Sequence, residues 1–147
     1  MFITKLKSFV SVVLLTSITT ISYQSLVKAE NVTLSEVVAF EDYLSMAAEM
    51  MNSKLPLLID QDVRWDSTFA GPGKMLSYKY TLLNYSASQL EVHKFTQYMH
   101  KSITKTVCDD SATKIFPEEG VTLNFNVYDK SNNFITRIKL EPSDCGY

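Results

Sequence analysis

Two histidines, a few close-set acid pairs, two cysteines and one Gly-Pro-Gly stretch are where this 147-residue chain could do chemistry. His93 and His100 lie seven apart on what reads as one helix. That is two turns, about 10 Å along the axis. Chelation of one small ion on a helix wants a spacing of four, so both read as solvated polar-face residues and no metal site is expected. The acid pairs Asp60/Asp62, Asp109/Asp110 and Glu118/Glu119 could do acid–base work if their surroundings split their pKa values. All three sit in turn-like contexts, where carboxylates are ordinarily solvated or bonded to local backbone. Asp60-Gln61-Asp62 lacks the glycine and closing glutamate of a calcium loop. No Gly-x-Ser-x-Gly elbow is present, and nothing in the spacing brings a serine and an acid to either histidine. Catalytic residues and cofactors are therefore not expected.

Two features read as recognition. Gly71-Pro72-Gly73-Lys74 lacks the spacing and the following helix of a phosphate loop. It reads as a tight turn between strands and a candidate binding tip at Gly71, Pro72 and Gly73. Trp65, Tyr78, Tyr80, Tyr85, Tyr98 and Tyr128 are amphipathic rings of the kind that anchor interfaces. Most should line the core. Tyr128 is the candidate for exposure, because Thr122, Asn124 and Asn126 share its strand face.

The elements that must position these residues follow from periodicity. Glu30 to Asn52 reads as a first helix, opened by the Thr33-x-x-Glu36 capping box. Its apolar stripe is Val37, Phe40, Leu44, Ala47, Ala48 and Met51. Short strands follow: Leu57 to Ile59, then Val63 to Ala70 with Val63, Trp65, Ser67 and Phe69 on one face. Lys74 to Asn84 alternates Leu76, Tyr78, Tyr80 and Leu82 with Ser77, Lys79 and Thr81. A second helix is expected over about Ala87 to Val107, opened by Ser88-x-x-Glu91. Its buried stripe would be Val92, Phe95, Met99, Ile103 and Thr106. After a connection with one helical turn around Ala112 to Phe116 comes a hairpin with Val121, Leu123, Phe125 and Val127 inward, a turn at Asp129 to Asn133, and Phe134, Thr136, Ile138 and Leu140 inward again with Arg137 and Lys139 outward. The expected fold is α+β in the order α-β-β-β-α-β-β. Its sheet should be antiparallel, with two helices on one face.

The first 29 residues read as an address. Lys5 and Lys7 precede the uncharged run Phe9 to Ile21, and Val27-Lys28-Ala29 resembles a signal peptidase site. The run has thirteen residues, diluted by Ser and Thr. An uncleaved anchor would need about 20, so no stable membrane anchor is expected after cleavage. One secreted domain, residues 30–147, remains. Removing Lys5, Lys7 and Lys28 from the 14 cations leaves 11 against 16 acids, a formal net charge of −5. That argues against a nucleic-acid partner. In an oxidising compartment the even pair Cys108 and Cys145 should form a disulfide. The sequons at Asn31 and Asn84 matter only in a eukaryotic source.

This layout resembles small secreted bacterial α+β domains that carry a Val-Cys near the second helix end and an Asp-Cys-Gly near the C-terminus. Here these are Val107-Cys108 and Asp144-Cys145-Gly146. The resemblance covers most of residues 34–146 and points to a bacterial source. No function attaches to such domains, so it implies no site. The layout also looks like cystatin-type and lysozyme-inhibitor-type folds, without their inhibitor motifs, which is a likeness of fold alone.

The sequence therefore favours an exported, non-enzymatic domain, periplasmic or extracellular, that binds a protein through its open sheet face or the tip at Gly71, Pro72 and Gly73: an inhibitor, an immunity-type protein or an assembly accessory. The alternative is a small apolar-ligand binder with a helix–sheet pocket lined by Phe95, Met99, Tyr78 and Tyr80. A hydrolase pairing one of the acid pairs with a histidine comes third. The oligomeric state is not legible.

Overall fold

The computed structural model describes the backbone from Leu34 to Tyr147, and side chains from residue 39 on. The expected signal peptide, Thr33 and the Glu36 side chain lie outside the described residues. Helix α1 spans Leu34–Asn52 and is followed by strands β1 (Leu57–Leu58), β2 (Val63–Gly71) and β3 (Met75–Leu82). Helix α2 (Val92–Asp109) and the one-turn α3 (Ile115–Glu118) lead to β4 (Thr122–Tyr128) and β5 (Phe134–Leu140). Short 3-10 turns at Ala87–Gln89 and Pro142–Cys145 flank α2 and end the chain.

The five strands lie side by side in chain order, β1-β2-β3-β4-β5. Three pairs are antiparallel, as expected, but β3 and β4 run parallel. The expected wholly antiparallel sheet is thereby corrected to a mixed one. The cause is the connection. A hairpin reverses the chain, whereas the segment from β3 to β4 carries a full helix back across the sheet. Such a crossover returns the next strand parallel.

The helix layout also differs from the expectation. Where one helix was expected from Ala87, a 3-10 turn comes first, and α2 begins only at Val92. The capping signal lies two residues earlier than Ser88-x-x-Glu91: the Ser86 amide donates to Gln89 Oε1 at 2.7 Å. Glu91 instead precedes α2 and pairs with Lys94 at 2.5 Å. The short α3 lies slightly later than the helical turn expected around Ala112 to Phe116.

Both helices pack on one face of the sheet, α1 over β2 and α2 against β5. From α1, Leu44 and Ala48 enter the core; from α2, Phe95, Met99, Ile103 and Val107 do so at steps of four. Val107 takes the place expected of Thr106. The sheet contributes a stack of rings. Tyr78 lies 5.0 Å from Phe125, centroid to centroid, and Trp65 lies 5.9 Å from Tyr78 and 6.1 Å from Tyr80. Each large side chain buried this way contributes about 1.5–3 kcal/mol. Burial also holds the Tyr78 and Tyr80 phenols well above the ordinary tyrosine range.

Cys108 at the end of α2 is bonded to Cys145, with their Cα atoms 5.4 Å apart. The bridge ties the C-terminal turn to the helix that closes the core.

Candidate functional site

The sheet face away from the helices is the surface that the fold leaves for recognition. Cross-strand register defines it row by row. Leu58, Arg64, Thr81, Tyr128 and Phe134 form one row; Ser67, Lys79, Asn126 and Arg137 the next; Phe69, Ser77, Asn124 and Lys139 the third.

Two irregularities shape this face. The register of β2 on β3 shifts between Trp65 and Ser67. One extra residue in a strand turns every later side chain to the other face. Thr68 is therefore buried, and Phe69 is 53% exposed on the open face, opposite Ser77. The Trp65 indole pins the bulge by donating to Thr68 Oγ1 at 3.0 Å and to the Ser67 carbonyl at 3.2 Å. A second shift, between Val127 and Tyr128 on β4, sends Ile135 into the core and leaves Phe134 53% exposed. Simple alternation places Phe69 and Phe134 inward. Both expectations are corrected by the bulges.

Between the two phenyl rings the face is polar and cationic. Arg64 pairs with Asp66, whose Oδ2 accepts from Thr81 Oγ1 at 2.5 Å. Lys79 Nζ sits 4.7 Å from the centre of the Tyr128 ring and donates to Asn132 Oδ1 at 2.8 Å. Arg137 Nε donates to Asn126 Oδ1 at 2.7 Å, and the Asn126 amide donates to the Tyr78 carbonyl at 3.3 Å. Lys139 pairs with Glu141 at 2.5 Å. Tyr128 packs edge-on against Phe134, with ring centres 5.6 Å apart.

The sequence candidates fall in two places. Tyr128 is half-buried on the open face, at the end of β4. Gly71, Pro72 and Gly73 lie at the opposite end of the sheet, where β2 turns into β3. Tyr128 is level with Thr81 and the turn adjoins Met75, six residues back along β3. At about 3.3 Å per residue the two are roughly 20 Å apart, so they do not form one site. The turn is also tied down. The Gly73 amide, at a φ of 73° that suits glycine, donates to Glu41 Oε1 on α1 at 2.7 Å. Lys74 Nζ reaches the Glu119 carbonyl at 3.0 Å and lies 4.6 Å from the Phe40 ring centre.

The acid pairs are occupied locally. Asp60 Oδ1 accepts from the Asp62 amide, and Asp62 Oδ1 from the Asn84 side chain, both at 2.7 Å. Asp109 meets Lys105 at 2.5 Å, and Asp110 caps the following turn through the Ala112 amide at 2.8 Å. Glu118 accepts from the Tyr147 hydroxyl at 2.8 Å. His93 is exposed, and His100 lies 3.8 Å from Asp144. No cluster of His, Cys, Asp or Glu fit to hold a metal ion occurs among the described residues. The four side chains expected to line a ligand pocket, Phe95, Met99, Tyr78 and Tyr80, belong to the packed core.

A sheet with two helices packed on one face is a fold similar to that of secreted and secretion-system proteins of known structure. A Pseudomonas aeruginosa protein described as secreted superposes with a TM-score of 0.65 at 14% identity, over 78% of this chain and 99% of its own. The EpsS pilotin of the Vibrio vulnificus type 2 secretion system aligns at 0.61 and 12% identity, over 77% and 97%. The AspS pilotin of the Vibrio cholerae type II system aligns at 0.61 and 10% identity, over 78% and 100%. By sequence, the chain belongs to the family described as a domain of unknown function (DUF8479), whose model matches residues 39–136. Protein K of Escherichia coli is 36% identical over 104 residues, 65% of this chain and 50% of its own length. The chain thus spans about half the length of that curated relative.

Proposed function

We propose that this chain is an exported accessory protein that docks another protein on the open face of its sheet and does no chemistry of its own. The observation that carries the reading is that face: two bulges turn Phe69 and Phe134 outward on either side of a polar, cationic centre. Exposed rings beside directional polar groups are the usual makings of a recognition surface. The disulfide supports an oxidising compartment, and a signal peptide over residues 1–29 would deliver the chain to the periplasm or beyond. Among an inhibitor, an immunity-type protein and an assembly accessory, the pilotin-like fold favours the accessory. The turn at Gly71, Pro72 and Gly73 is at most a secondary contact, because α1 holds it.

The test is native mass measurement of the protein drawn from the exported fraction of its own cells. A defined complex with one other protein is expected. A bare monomer that turns over a substrate would refute the reading.

A further inference from the structure

The cations of the open face are not evenly compensated. Arg64 and Lys139 each have a carboxylate, Asp66 and Glu141. Lys79 and Arg137 meet only neutral groups among the described residues: the Asn132 amide and Tyr128 ring for one, the Asn126 amide for the other. The two sit in the same cross-strand row, on either side of Asn126. Two unpaired positive charges therefore occupy the centre of the face, on a domain whose residues 30–147 carry a formal −5. The surplus is opposite in sign to the molecule. Such a patch favours an anionic partner at this surface. With Nε engaged, the remaining guanidinium N–H groups of Arg137 suit a carboxylate.

The phenyl rings add a length. Phe69 is level with Ser77, and Phe134 with Tyr128 and Thr81; Lys79 lies midway between Ser77 and Thr81. The rings are three strands and four residues apart, a diagonal of roughly 20 Å at strand spacing. About six residues of extended chain cover that distance.

We infer that the open face takes an acidic polypeptide segment whose carboxylates meet Lys79 and Arg137 between two apolar side chains seated at Phe69 and Phe134. This rests on the docking reading above and names the chemistry of its partner. A nucleic acid needs several phosphates neutralised at once, and two free cations hold an anionic bilayer only weakly. The two exposed rings, Phe69 and Phe134, set a fixed spacing that an extended peptide can match and a lipid surface cannot.

The probe is a synthetic peptide of about ten residues, with a Phe near each end and Glu between. Its control carries Gln in place of every Glu. Binding to the disulfide-bonded protein is followed by amide chemical shifts and fluorescence anisotropy. The Glu peptide should shift amides of β3, β4 and β5 and bind about ten-fold more tightly than the Gln peptide. That gap should shrink in high salt. The Lys79→Glu, Arg137→Glu double variant should lose about ten-fold, and Phe69→Ser and Phe134→Ser several-fold each. If the charge reversals do not fold, Lys79→Gln with Arg137→Gln serves instead. Equal binding of the two peptides, no binding at millimolar concentration, or shifts confined to the helices overturns the inference. So does charge-dependent binding to phosphatidylglycerol vesicles in place of the peptide. Should the peptides fail while a native complex is still found, the acidic chemistry is wrong and the docking reading stands; loss of both removes both.

Discussion

Asp129 fixes the turn that presents Tyr128 and Phe134. Its Oδ1 accepts from the Ser131 and Asn133 amides at 2.9 and 2.8 Å; its Oδ2 accepts from the Asn133 side chain and the Ala87 amide, both at 3.1 Å. The Asn133 backbone bond first, with the other donors behind it, holds the carboxyl down at about 2, against an ordinary 3.8. A folded value below the unfolded one means that the bonds stabilise fully above about pH 4 and fade as pH falls through about 2. Asp129→Asn should therefore unfold at lower urea than the parent at pH 6, and the gap should close toward pH 2. Urea titrations across that range check it. At this scale the sequence was partly readable. Asp129 to Asn133 stood out as a turn, and Arg137 and Lys139 as outward residues. Phe69 and Phe134 did not, because period-two alternation cannot register an inserted residue. One trace of the second bulge was visible: the adjacent apolar pair Phe134-Ile135.

Elements show the same division. Helix α1, strands β3 and β4 and most of α2 follow from their own periodicity, since one buried face imposes it locally. Strand direction does not, because β4 alternates whether its neighbour runs with it or against it. The signal for the parallel pair was the helix-length connection between β3 and β4, a more reliable guide than the polar faces. The free edge of β2 is managed by α1. Asn52 Nδ2 donates to the Thr68 carbonyl at 2.7 Å, and Asn52 Oδ1 accepts from the Thr68 amide at 2.8 Å. A side-chain amide thus stands where another strand would bind. Asn52→Ala should cost about 1–2 kcal/mol and expose that edge. The expected readouts are a lower melting temperature and concentration-dependent self-association by light scattering. A variant as monomeric as the parent would show that the edge is protected in another way.

On the scale of the whole molecule, the disulfide and the two-faced sheet decide how the domain works. The Cys108–Cys145 bridge closes a loop of 37 residues. Chain-entropy arithmetic makes that about 4 kcal/mol, a large part of a typical domain stability of about 5–15. Reduction should lower the urea midpoint accordingly, and a Cys108→Ser, Cys145→Ser variant should match the reduced protein. A bridge of this weight ties the C-terminal turn to the end of α2 and stabilises the fold that presents the open face. The pattern of residues 1–29 and the cysteine pair pointed to export, and the lack of a catalytic motif to a binding role. The open sheet face was an expected contact surface beside the tip at Gly71, Pro72 and Gly73; the residues that make it up emerge only where register brings β2 to β5 into rows.

Photo-crosslinking in the living source cells tests the central claim most directly. A photoreactive residue is placed at Ser67, between Phe69 and Lys79, and in a second strain at Met46, on the exposed side of α1. The account predicts one dominant protein adduct from position 67, lost in the Lys79→Gln, Arg137→Gln background, and none from position 46. Adducts from α1 with a silent sheet face would contradict it.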